Sequence, residues 1–80
     1  MSDVHDDLKI ALKLLDLRLV DFAVSLKRPD GNIGISHTAV IRVAKGQDET
    51  MWIRQEIMAL IRKAHRLFPE YYKYHSSVTE

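Results

Sequence analysis

The segment "KRPDGN", residues 27–32, is the strongest turn signal in the chain and limits how the chain can fold. Pro29 fixes its own φ angle and disfavours a helical conformation at Arg28. The Asp-Gly-Asn that follows consists of residue types that favour tight turns. The segments on the two sides of this turn must therefore form separate elements.

The N-terminal segment has a helical pattern of apolar residues. The positions that share one helical face are Val4, Leu8, Ala11, Leu12 and Leu15. This spacing predicts a first helix that ends near Leu15 and has Asp3 as its N-cap.

The C-terminal half contains the clearest amphipathic pattern. The apolar face comprises Ile53, Ile57, Leu60, Ile61, Ala64, Leu67 and Phe68, and the opposite face comprises Arg54, Gln55, Arg62, Lys63 and Arg66. We expect Thr50 or Asp48 to cap this helix and Pro69 to mark its end. Residues 70–80 are expected to form a short turn or helix that frays into a polar tail.

Residues 19–26, "LVDFAVSL", satisfy two periodicities at once. As a helix they place Leu19, Phe22, Ala23 and Leu26 on one face, whereas as a strand they alternate Val20, Phe22, Val24 and Leu26 against polar or small residues. Two fold classes follow. One is all-α, with four to five short helices and a helix-turn-helix, and the other is α-β-β-α, with a hairpin at 19–44.

The segment "GISHTAVIRVAKG", residues 34–46, favours the helical alternative. Ser36 suits an N-cap, and Gly46 permits the left-handed residue that ends a helix. In this helix Ala39, Val40 and Val43 face the core, and His37, Thr38, Ile41, Arg42 and Lys45 lie outside. The β-branched residues here favour a strand. However, two helices that cross at Ala23 account for the small residue at that position, for the N-cap Ser36 and for the terminating Gly46, whereas a hairpin accounts for none of them. We therefore expect the all-α fold.

The chain resembles the helix-turn-helix domain of lambda-repressor-like regulators. The resemblance covers roughly residues 8–61 and is carried by "LRLVDFAVSL", "GISHTAVIRVAKG" and "IRQEIMALI". Small phage and prophage members of the Cro and Ner kind are the nearest in size. The resemblance implies a single DNA-binding domain over residues 1–80, in which helix 36–45 lies in the major groove. It also implies a transcriptional regulator, most simply a repressor.

The resemblance also implies which residues contact DNA. Ser36, His37, Thr38 and Arg42 fall where the family contacts bases and phosphates, and Lys45 falls near the DNA backbone. The chain departs from the family at Lys27–Ile33, seven extra residues between the two motif helices. We expect Arg28, in this insertion, and Arg54 to add phosphate contacts.

The charge of the chain is distributed unevenly, although the formal net charge is only +1. Residues 1–21 sum to −2, whereas residues 27–46 and residues 54–73 each sum to +3. A basic face of this kind is either solvated surface or a surface that meets phosphates.

Several function classes find no support in the sequence. The chain has no cysteine, and its four histidines (His5, His37, His65 and His75) lack the spacing of a zinc site. We find no phosphate loop and no nucleophile motif, and so expect no enzyme, no cofactor and no small-molecule substrate. Charges interrupt every apolar run before the roughly 18 residues of a membrane span. The N-terminus lacks a signal-peptide pattern, so we expect a cytoplasmic protein of a bacterial or phage-infected cell.

The expected partner is double-stranded DNA, bound by a homodimer because one short helix buries little area. The alternative is a non-enzymatic protein-interaction module that uses the apolar and aromatic surface of residues 51–74.

Overall fold

The computed structural model describes residues 4–75 and is all-α over that range. Its elements are α1 (His5–Leu14), α2 (Leu19–Ser25), α3 (His37–Ala44), α4 (Met51–Leu67) and α5 (Pro69–His75). The all-α prediction is confirmed. The α-β-β-α alternative is wrong, because the only β-type pairing within the described residues is an isolated bridge between Lys27 and Ile33.

The helical periodicity of residues 19–26 prevails over the strand periodicity. In α2 the side chains of Phe22 and Ala23 are buried, and so is that of Leu26 just after the helix. Val20 and Val24, which a strand would place on the same face as Phe22, are 42% and 54% exposed. Packing of one helical face against the core therefore decides between two patterns that the local sequence satisfies equally.

A hydrogen bond from Val4 connects the start of α1 to the end of α3. The N–H of Val4 donates to the carbonyl oxygen of Ala44 (N···O 2.9 Å), and Val4 occupies the N-cap position of α1. Asp3, predicted to cap this helix, lies outside the described residues. The helix ends at Leu14 with Leu15 as its C-cap, close to the predicted boundary.

Helix α4 packs against α1, α3 and α5 and supplies much of the core. Its buried positions are Ile53, Ile57, Ile61 and Ala64. The prediction that Leu67 faces the core is wrong, since Leu67 is 52% exposed. The buried stripe continues from Ala64 to the half-buried Phe68, four residues further on, which leaves Leu67 beside it.

The start of α4 differs in detail from the prediction. Thr50 holds the N-cap position, but no side-chain cap bond forms there. Instead, the hydroxyl and the N–H of Thr50 both donate to Oδ1 of Asp48, at 2.7 and 3.0 Å. The Asp48 carboxylate therefore organises the turn before α4 rather than the first turn of the helix.

Pro69 follows the end of α4 and is the first residue of α5. The first position of a helix suits proline, because the N–H that proline lacks would have no partner within the helix there. The ring of Tyr72 in α5 stacks on His65 of α4, with centroids 3.6 Å apart and an interplanar angle of 16°. The expected tail over 70–80 is thus helical as far as His75, and residues 76–80 lie outside the described residues.

One hydrophobic cluster joins the helices. Its buried members are Val4, Leu8, Ala11, Leu12, Phe22, Ala23, Leu26, Val40, Val43, Ala44, Ile53, Ile57, Ile61 and Ala64. All of them except Ala44 lie on the apolar helical faces that the sequence predicts. Ala44 is fully buried, where α3 meets the start of α1.

The insertion between α2 and α3 is a small closed loop. Beyond the Lys27–Ile33 bridge, the N–H of Arg28 donates to the carbonyl oxygen of Asn32 (2.8 Å). The N–H of Asn32 in turn donates to Oδ1 of Asp30 (3.0 Å). These hydrogen bonds pair backbone groups of the loop with partners inside the loop. The conformation of the insertion is therefore stabilised by its own residues.

The two ends of this loop meet at the end of α2. The N–H of Gly34 donates to the carbonyl oxygen of Leu26 (2.7 Å), and the N–H of Ile35 donates to that of Ala23 (3.0 Å). Gly34 has a φ of +99°, and a Cβ at this position would lie 3.0 Å from the carbonyl oxygen of Val24. The chain therefore comes back to the end of α2 after the loop, and position 34 at this close approach accommodates only glycine.

We expect Gly34→Ala to reduce the free energy of unfolding by about 2–3 kcal/mol, because the new Cβ meets both an unfavourable φ and the backbone of Val24. Gly31→Ala is the matched control. Gly31 also has a positive φ, of +93°, but no atom lies within 4 Å of a Cβ built there. That variant should lose only about 1 kcal/mol in urea unfolding followed by circular dichroism. Equal losses for the two variants would contradict the close approach at Gly34.

Candidate functional site

The outer face of α3 carries the side chains that the sequence analysis assigned to it. His37, Thr38, Arg42 and Lys45 are all exposed, whereas Val40 and Val43 are buried. Ile41, predicted to lie outside, is half-buried. The three- and four-residue spacing of the helix separates the two sets, so the polar residues form one outward surface.

The two ends of α3 are stabilised as predicted. The hydroxyl oxygen of Ser36 accepts a hydrogen bond from the N–H of Ala39 (3.2 Å), which makes Ser36 a side-chain N-cap. At the other end Gly46 adopts a φ of +80°. Its N–H donates to the carbonyl oxygen of Val43 (3.0 Å), in the geometry that closes many helices. Although α3 is short, its first and last residues are therefore defined by these hydrogen bonds.

The loop brings Arg28 to the start of α3. An open depression of about 490 Å³ lies between the loop, the residues that precede α3 and the first turn of α4. It is lined by Arg28, Pro29, Asp30, Ile35, Ser36, Trp52 and Ile53. The seven-residue insertion thus places a cation, Arg28, beside Ser36, the N-cap residue of α3.

The guanidinium of Arg28 already has a partner in the free chain. Its Nη2 lies 3.3 Å from Oδ2 of Asp30, and the two side chains are 42% and 52% exposed. The pKa of Asp30 is lowered chiefly by the hydrogen bond from the backbone N–H of Asn32 and further by the charge of Arg28. Asp30 is consequently ionised at neutral pH and offsets part of the charge of Arg28.

A second carboxylate, that of Asp48, interacts electrostatically with Arg42 of α3. The pKa of Asp48 is lowered, first by the hydroxyl of Thr50, then by the N–H of Thr50 and also by the charge of Arg42. The sequence of α3, "HTAVIRVA", contains no acidic residue. The carboxylates that influence this surface therefore come from the segments before and after α3.

Sequence reasoning treated Asp30 only as a turn residue and Asp48 only as a possible cap. Their closeness to the α3 surface depends on the loop closure and on the start of α4, which no local pattern encodes. The one available signal was that Asp30 lies two residues after Arg28.

The remaining positive charge lies along α4. Arg54, the last predicted contact residue, is half-buried near the start of this helix, which packs against α3. Arg62, Lys63 and Arg66 are exposed in its C-terminal half. Arg54 and Arg66 are separated by about 18 Å of helix rise, so the basic residues of α4 do not all belong to the α3 surface.

Other kinds of site within residues 4–75 would need a cluster of metal ligands or a helix that can span a membrane. No set of three or more histidine, cysteine or acidic side chains among them is arranged to hold a metal ion. None of the helices in this part of the chain has the length and apolar character that crossing a membrane requires.

Comparison with known proteins finds no matching family model, no matching curated protein and no matching solved structure. The surface of α3 and its surroundings are therefore the basis for a functional proposal.

Two substitutions of Ser36 test whether its side chain stabilises α3 as an N-cap. Ser36→Ala should lower the free energy of unfolding by about 1 kcal/mol, because the N–H of Ala39 loses its acceptor. Ser36→Asp should stay within about 0.5 kcal/mol of the unmodified chain, since aspartate caps as well as serine does. Urea unfolding of both variants tests this. A loss for Ser36→Asp as large as that for Ser36→Ala would contradict the capping role.

Proposed function

We propose that the protein is a sequence-specific DNA-binding regulator of transcription that reads the major groove with α3. In this proposal α2 and α3 form a helix-turn-helix with an extended turn. The observation that carries it is the outer surface of α3, where His37, Thr38, Arg42 and Lys45 are exposed together and the helix contains no acidic residue. A rigid helix with polar and cationic residues outward is the element that DNA readers insert into a groove.

The dimensions of α3 suit this role. Its eight residues span about 12 Å, comparable with the width of the major groove. The exposed His37 and Thr38 stand in the first turn, where reading helices contact base edges. Arg42 follows one turn later, and arginine paired with guanine is the commonest specific contact in this groove. We therefore assign sequence reading to these three residues.

Affinity would come mainly from the DNA backbone. Arg28 and Lys45 lie at opposite ends of α3, and Arg54 lies near the start of the helix that packs on it. Contacts to phosphates at both ends of a reading helix position it without reading sequence. Three such contacts correspond to a slope of about −3 in log K against log salt concentration for each bound copy.

Two copies on a two-fold operator follow from the small area that one such helix buries. The mechanism would be occupancy: the bound homodimer blocks or recruits polymerase at a short site, most simply as a repressor of the phage or prophage type. Such a regulator would act in the cytoplasm of a bacterial or phage-infected cell.

Binding to labelled duplex DNA tests the proposal directly. We expect tight binding to the DNA upstream of the protein's own coding sequence, weaker binding to random fragments, and steep weakening of both between 50 and 200 mM salt. Fluorescence anisotropy at these two salt concentrations measures all of these quantities. Absence of binding at the lower concentration would contradict a role on DNA, and equal binding to both DNAs would contradict sequence reading.

Arg42→Ala should weaken binding to the specific site by roughly 1–3 kcal/mol and binding to random DNA by less, because a base contact is lost. Arg62→Ala, which removes an exposed arginine from the C-terminal half of α4, is the control and should change neither by as much. An equal loss on specific and random DNA would show that Arg42 contacts only the backbone.

The alternative, an interaction module on residues 51–74, finds less support. The large apolar side chains that are exposed on α4 are Met51 and Leu67, at 63% and 52%. They are sixteen residues apart, about 24 Å along the helix, and do not form one patch. Tyr71 and Tyr72 are half-buried, and Tyr72 stacks on His65 of α4.

A further inference from the structure

The ion pair between Arg28 and Asp30 stands at the edge of the proposed DNA surface. Asp30 serves two partners there: Oδ1 accepts the hydrogen bond that shapes the loop, from the N–H of Asn32, and Oδ2 lies against Arg28. The pair is open to solvent, and exposed pairs of this kind contribute little to stability. The guanidinium can therefore exchange this partner for a stronger one at small cost.

The depression beside the pair has the chemistry of a site for one sugar-phosphate unit. The loop contributes the guanidinium of Arg28, and the start of α3 contributes the hydroxyl of Ser36. That hydroxyl accepts from the N–H of Ala39 and keeps its own proton to donate to a phosphate oxygen. Trp52 and Pro29 provide apolar walls of the kind that pack against a sugar.

We propose that a backbone phosphate of the bound DNA enters this depression and replaces Asp30 as the partner of Arg28. The inference rests on the proposed DNA-binding function. A phosphate accepts two parallel hydrogen bonds from a guanidinium, which a single 3.3 Å contact to Asp30 does not match. Asp30 then limits how strongly the surface attracts DNA of any sequence.

Asp30→Asn is the direct test, because an asparagine oxygen still accepts from the N–H of Asn32 while the negative charge is removed. We expect DNA of either sequence to bind about threefold more tightly at low salt, the effect of one charge about 6 Å from a phosphate in water. Arg28→Ala should weaken binding and reduce the salt slope by about 1. In the double variant the gain from Asp30→Asn should disappear.

Asp21→Asn is the matched control for charge. Asp21 forms the other exposed arginine–aspartate pair among the described residues, with Arg18 in the segment that begins α2 (2.9 Å). We expect its removal to change DNA affinity by less than half as much, on the logarithmic scale, as removal of Asp30. Equal tightening by the two variants would show an effect of net charge alone and would overturn the inference.

The single tryptophan supplies a second readout, independent of affinity. Trp52 is half-buried and lines the depression, so its fluorescence should change when duplex DNA is added to the unmodified chain. Arg28→Ala should largely lose this change at DNA concentrations that saturate it. If Arg28→Ala keeps the change and Asp30→Asn leaves affinity unaltered, while Arg42→Ala still relaxes specificity, the inference is overturned and the proposed function stands. If the unmodified chain does not bind DNA at all, both are overturned.

Discussion

The hydrogen bond from the N–H of Gly34 to the carbonyl oxygen of Leu26, 2.7 Å long, is the constraint on which the arrangement of α2 and α3 depends. With the bond from Ile35 to Ala23, it returns the chain to the end of α2 after the excursion of residues 27–33. Because closing a loop of this size costs little entropy, an insertion is compatible with a compact helix pair. The side of the molecule on which α3 presents its polar residues follows from that closure.

The surroundings of α3 contain both cations and carboxylates and are not a uniform basic patch. Arg28 and Arg42 each have a carboxylate in their surroundings, Asp30 and Asp48 respectively, and both carboxylates also organise a turn. A DNA reader with unopposed cations binds any sequence strongly, since phosphate attraction carries no sequence information. In the proposed function, these carboxylates weaken that attraction for DNA of every sequence, and the base contacts of α3 decide where the protein binds.

Much of this architecture could be predicted from local patterns, because caps and helical faces are properties of neighbouring residues. The capping role of Ser36 is of this kind. Residues 19–26 could not be assigned by periodicity alone, since both patterns fit and only packing against the core distinguishes them. Leu67 was placed on the buried face because the pattern does not show how wide the buried stripe is. The proximity of Asp48 to Arg42 likewise depends on how the chain turns after α3, which no short motif encodes.

The most direct test of the central claim is a map of amide chemical shifts, recorded by two-dimensional NMR as duplex DNA from the upstream region is added to the full chain. If α3 is the reading helix, the largest changes should fall on residues 36–46, with a second group in the loop 27–33 and at Trp52. Changes concentrated instead on the C-terminal half of α4 and on α5, with residues 36–46 unaffected, would contradict the account.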